Sequence, residues 1–305
     1  MRLVPDALAL LLDVVAPVFL VILVGGVVGR RFGLEVRHVN RLALYAAVPA
    51  LAFRTLANLE LAAGEAGRLL AAYALYLTAA AAVAALVGAR WPGPARRALV
   101  GTSLLGNAAN LNLPVALFAF GPAGLDRALI LFVATSLAMY TVGPALLGRA
   151  ASPGRALRTV VAFPVAWAVA AGAVANVASA TLPLPIERAV DLLADAAIPM
   201  VLLALGVQLA AAGRLRPDGR AWTGVGLKLI AGPALAAGAG LALGLGGLDL
   251  AVLVLMGGMP TAVNAAMLAI EFGGEARQVS DTVVAATALS LIALPLLLTV
   301  LVRLP

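Results

Sequence analysis

The 305-residue chain has no cysteine and a single histidine, His38. Disulfides and thiolate metal sites are therefore excluded, and cysteine usage says nothing of the redox compartment. One histidine in a basic connector supplies neither a histidine metal set nor a catalytic triad. Charge is scarce as well: 11% of residues are Asp, Glu, Lys or Arg, against 63% hydrophobic, and mean hydropathy is +1.07. A soluble chain of this length would carry far more charge. The net charge of +7 is scattered between hydrophobic runs and forms no patch of nucleic-acid size, so no nucleic-acid partner is expected. Neither GxSxG nor the ATP-binding pattern GxxxxGK[ST] occurs, so the sequence supports neither an enzyme nor an ATP-driven pump.

What the chain does have is apolar length. A helix needs about 20 predominantly apolar residues to cross a bilayer. Ten stretches qualify: 7–29, 38–58, 66–89, 98–120, 124–148, 157–179, 187–212, 221–245, 249–271 and 278–302. They lack the every-second-residue alternation of barrel strands. The expected fold class is an all-α polytopic membrane protein of ten transmembrane helices, with no soluble domain. The first run is too long for a signal peptide and has no small-residue cleavage site, so it is read as helix 1. Fourteen arginines fall in one set of alternate connectors, among them Arg30, Arg31, Arg96, Arg216 and Arg277, against six in the opposite set and at the termini. The positive-inside rule then sets both termini outside the cytoplasm, in the cytoplasmic (inner) membrane.

Residues 1–150 and 151–305 look like two copies of one five-helix unit. "VPALAF" with Pro49 is matched by "IPMVLLALG" with Pro199, and "NAANLNLPVALFAFG" by "GGMPTAVNAAMLAIEFG". Five is odd, so the second copy must enter the membrane from the opposite side, giving the inverted repeat of secondary transporters.

The fourth helix of each copy is the unusual one. Pro114 and Pro260 each leave a carbonyl four residues earlier without a helical donor, Asn110 and Met256 respectively. Both helices are thus expected to open near mid-span, at Asn110 and at Met256–Gly258. Such backbone survives in a membrane only inside protein or along a watery cavity. Asn107, Asn110 and Pro114 would share one helical face, Asn112 would point elsewhere, Thr261 would cap the resumed helix, and Asn264 would stand one turn beyond Pro260. Neutral amides beside half-helix N-termini suit a carboxylate. The alternative is plain: asparagines also join membrane helices by hydrogen bonds worth about 0.6–2 kcal/mol.

At these residues the sequence resembles the auxin efflux carrier family, plant auxin exporters and bacterial relatives proposed to carry malonate, malate and similar acids. The quoted motifs, with "KLIAGP" (228–233) and "LSLIALPLLLTVL", carry the likeness over nearly the whole chain. The resemblance implies inverted five-helix repeats whose broken helices 4 and 9 cross at mid-membrane, as in bile-acid/sodium symporters. It also implies elevator-type alternating access and a homodimer through scaffold helices. Asn107 has the spacing to Pro114 of the asparagine that contacts the carboxylate in the plant carriers. The family's long cytoplasmic loop is missing, and Asn112 stands where bacterial relatives more usually have glycine.

The expected function is therefore secondary transport of a small organic anion. The alternatives are a sodium-coupled symporter of bile-acid-like or other anions and a cation/proton antiporter. The latter is disfavoured because such antiporters need acidic residues at the crossover, and residues 99–121 and 250–270 contain none. No cofactor is expected, and sodium or a proton is the candidate coupling ion. Asp13 and Asp195 lie near helix ends, where a water-reaching structural role is expected. Lys228, two turns inside helix 8, is expected either to reach the cytoplasmic surface or to attract the anion.

Overall fold

The computed structural model describes residues 8–147, 164–211 and 216–304. The junction expected at 150–151, the first turns of the sixth stretch and both extreme termini lie outside these residues. Eleven principal helices follow in order: α1 (Leu8–Phe32), α2 (36–57), α3 (Ala63–Val87), α4 (Gly93–Leu104), α5 (Ala108–Thr141), α6 (Pro164–Val177), α7 (Leu184–Ala211), α8 (Gly219–Ala242), α9 (Gly247–Gly258), α10 (Val263–Glu271) and α11 (Ala276–Leu301). A short helix, Gly143–Leu147, follows α5. Six of them (α1, α3, α5, α7, α8 and α11) are long and apolar enough to cross a membrane, while α6 and α9 are apolar but shorter. Within α5, Gly121 adopts φ 70° before Pro122, so the chain turns sharply between 108–120 and 122–141.

Burial is inverted relative to a soluble protein. Leu23 (62%), Ile230 (75%) and Ile292 (65%) are exposed, while Asn112 and Lys228 are fully enclosed. Apolar side chains facing outward and polar ones facing inward suit a lipid surround, in which an unpartnered polar group costs several kcal/mol. This is a multi-pass membrane protein.

Packing is densest within two groups. α1 and α2 pack with α6 and α7, while α3, α4, α8, α9, α10 and α11 pack on one another and meet α5 through α3 and α9; α5 also touches α1, α2 and α7. Small residues allow the closest approaches. A Cβ on Gly206 would sit 2.0 Å from the Ile22 carbonyl oxygen, and one on Gly25 2.3 Å from that of Leu203, so α1 and α7 touch backbone to backbone. Between α8 and α9, a Cβ on Gly232 would lie 2.3 Å from the Gly257 oxygen.

Candidate functional site

Two helices are interrupted, and the interruptions meet. The first, Leu105–Asn107, separates α4 from α5; the second, Met259–Ala262, separates α9 from α10. Proline explains the second directly: it cannot donate, and it drives the residue before it out of the helical region. Met259 is accordingly extended at ψ 139°. The freed backbone groups then bond across. The Asn107 N–H donates to Pro260 O at 2.7 Å and the Ala262 N–H to Leu105 O at 2.8 Å, closing an antiparallel bridge between Gly106 and Thr261. Gly106 lies close under two long side chains: a Cβ there would meet Met256 Cε at 2.9 Å and Lys228 Nζ at 3.2 Å, so those side-chain ends would have to shift.

The first interruption does not lie where Pro114 was expected to place it. The chain opens at 105–107, ahead of Asn110, and Pro114 sits in the opening turns of the resumed helix. Pro114 is accommodated because the π-turn Ala108–Asn112 directly precedes it and takes up the irregularity that a missing N–H creates. The element that starts the helix is Asn107 itself, whose Oδ1 accepts the Asn110 N–H at 3.1 Å as an N-cap. Thr261 is corrected too. Its hydroxyl donates to Thr102 O at 2.8 Å across the paired breaks, and Ala262 is the N-cap of α10 without a side-chain bond.

A cavity of about 40 Å³ lies against the paired breaks, bordered by Asn107, Asn110, Thr135, Ser136, Tyr140 and Asn264 among others. Among the described residues, no ionised side chain lines it. Val263 and Asn264, the first two residues of α10, and Ala108 and Ala109, the first two of α5, all border it, so two positive helix ends converge on one space. The Asn107 Nδ2 and Asn264 Oδ1 atoms are buried without a hydrogen-bond partner. One amide thus offers donors and the other an acceptor, beside two helix ends that favour negative charge.

Residues 154–298 match the family described as "Membrane transport protein". A protein of Methanothermobacter thermautotrophicus named "Uncharacterized transporter" is 34% identical over 192 residues, 62% of this chain and 63% of that one. A "Putative malonate transporter" of Rhizobium meliloti is 33% identical over 202 residues, 61% of each chain. The matches thus span somewhat over three fifths of each relative's length. Over these lengths the chain is similar to membrane transport proteins.

The other residues singled out in the sequence divide between the site and its surroundings. Asn107, Asn110 and Asn264 come together at the cavity; Pro260 and Thr261 form the bridge behind it; Pro114 is buried in the opening turns of α5. Asn112 is fully enclosed away from the cavity lining, with both amide atoms unpartnered. Lys228 does not reach a surface. It is 0% exposed, and its Nζ donates to Tyr76 Oη at 2.9 Å and Gly257 O at 3.3 Å, directly behind Gly106. The reason is geometric: Lys228 lies on the side of α8 that faces α3 and α9, where the Gly232–Gly257 contact holds the helices too close for its side chain to turn outward.

Pro49 begins a helical segment after the π-turn Ala43–Ala47, and Pro199 lies inside α7; neither borders the cavity. Asp195 is exposed and accepts from Arg54 at 2.8 Å, and Asp13 is exposed in a π-turn of α1. Sequence reasoning passed over Gly106, Tyr76 and the Thr135–Ser136 pair. Only Gly106, adjoining the asparagine run, carried a sequence signal.

Proposed function

We propose that the chain is a secondary transporter of a small organic anion, with the carboxylate bound between Asn107, Asn110 and Asn264. The observation that carries this reading is the buried, unpartnered Asn107 Nδ2 donor where two half-helix N-termini converge. A carboxylate would accept from Asn107 Nδ2 and lie in the field of both helix N-termini, with no fixed charge to compete. A cation/proton antiporter would need an acidic group at this position, and the cavity lining offers none.

Ten spans in two inverted five-helix repeats, 1–150 and 151–305, complete the proposal. α4 with the first part of α5, and α9 with α10, serve as the broken fourth and ninth spans. On this scheme the α1–α2–α6–α7 group is the scaffold, and the second group is the body that carries substrate in an elevator-type motion. A 40 Å³ space holds about three waters. An acid of malonate size therefore requires the walls to part, as alternating access demands. Placing the arginine-rich face in the cytoplasm of an inner membrane follows the positive-inside rule.

The test is uptake by purified protein in liposomes across a panel of mono- and dicarboxylates, with and without sodium and pH gradients. Malonate heads the panel because one matched relative bears it in its name. At least one acid should be taken up, and Asn107→Ala should lose most of that uptake while eluting as a folded protein. An Asn107→Ala variant that transports at the unaltered rate overturns the site.

A further inference from the structure

A larger cavity, about 520 Å³, opens beside the first, between α7, α10 and α11. It lies at the arginine-rich end of the molecule, with Val36 at its rim, and Val263 borders both cavities. Its walls are largely apolar, supplied by Leu209, Met267, Ile270 and Val284. Against that background Gln208 is anomalous. It is 5% exposed, projects from α7 into the lining, and both its amide atoms lack a partner. An amide left this way is destabilising, a poor choice for a merely structural wall position.

The charged groups of the lining stand on α11. The Arg277 side chain is 78% exposed, and its Nε lies 3.8 Å from Asp281 Oδ2, beyond hydrogen-bond reach. Asp281 is mostly enclosed and accepts only a long 3.5 Å contact from the Arg216 N–H. The guanidinium therefore keeps its planar fork of donors for an incoming carboxylate.

We propose that this cavity is a second carboxylate position, a vestibule in which the anion waits before passing Val263 to reach Asn107 and Asn264. Arg277 draws the anion in, and Gln208 Nε2 donates to one carboxylate oxygen once it is inside. The Asp281 carboxylate competes for Arg277 and keeps the position weak, so the anion is released onward. The inference rests on the transport reading above.

The absence of cysteine makes the test direct, because Ser280→Cys places the only thiol of the chain in this wall. In liposomes the impermeant anionic reagent methanethiosulfonate ethylsulfonate should modify it. The acid that the unaltered chain transports should slow that modification about threefold or more at saturating concentration. The protection should persist with Asn107→Ala, and should disappear with Gln208→Leu or Arg277→Gln. Asp281→Asn should lower the half-protecting concentration about two- to fivefold, the range expected of one solvated charge interaction. All variants are first shown to elute as folded protein. Protection lost with Asn107→Ala but kept with Gln208→Leu and Arg277→Gln overturns the second position, as does transport of an acid that never protects. A detergent or lipid tail filling the cavity would give that last result. If the unaltered chain transports no acid at all, it is the transport reading that falls.

Discussion

Asn107 holds two tasks that substitution can separate. Its Oδ1 caps α5 through the Asn110 N–H at 3.1 Å, while its Nδ2 is free for an anion. Asn107→Ala removes both. Loss of an N-cap costs about 0.5–2 kcal/mol, and a residue only 3% exposed belongs at the upper end, since no water replaces the lost acceptor. Asn107→Ser keeps a cap of nearly equal quality but withdraws the amide donors. The expected pattern is a loss of about 2 kcal/mol for alanine and less than about 0.5 kcal/mol for serine. Transport should fall in both, because a hydrogen bond to a charged group is worth about 1.5–3 kcal/mol, or roughly 10- to 150-fold in affinity. Thermal unfolding in detergent and initial uptake rates in liposomes measure the two quantities. Stable Asn107→Ser protein with unaltered uptake would show that the amide only caps the helix, and the substrate assignment would be wrong.

Two further tests concern the frame around the site. Gly206→Leu should prevent stable assembly of α1 on α7, because even a Cβ would lie 2.0 Å from the Ile22 oxygen; about 1–3 kcal/mol is the usual cost of overpacking, and backbone that cannot yield puts this case at or above that range. Size-exclusion behaviour and unfolding temperature report it, and a leucine variant as stable as the parent refutes the close packing. Tyr76→Phe and Lys228→Met should each destabilise the protein, and the double variant should lose at least about 1 kcal/mol less than the two losses added. The cause is the 2.9 Å bond between two fully enclosed groups, each stranded by removal of the other. Additive losses would mean that the bond contributes nothing.

Much of this protein could be read without coordinates because a bilayer limits the choices so strictly. Long apolar runs must be helical, and the ten stretches are helical over most of their described lengths. A break beside Pro260 was legible because proline acts on its own backbone and that of its neighbour. It falls at 259–262, however, and leaves Met256–Gly258, where it was expected, helical. The break ahead of Asn107 was not legible. Pro114 suggested a site several residues too late, since its missing N–H is taken up by the π-turn at 108–112 and not by a full break. What opens the chain at 105–107 is the partner strand at 260–262, together with an asparagine cap.

Lys228 and Gln208 make the same point at side-chain level. A lysine two turns inside a helix can reach an interface if its surroundings allow. Here the Gly232–Gly257 approach and Tyr76 enclose it. Gln208 carries no signal in the sequence, and only the assembly of α7, α10 and α11 leaves it buried and unpartnered. Composition and period by themselves determined the membrane class, the helical content and the two polar, proline-marked segments, because each follows from the free energy of moving local chain into lipid. Which atoms meet, Asn107 N–H with Pro260 O and Lys228 Nζ behind Gly106, was decided only by tertiary structure. Those contacts join residues more than a hundred positions apart, where no local propensity reaches.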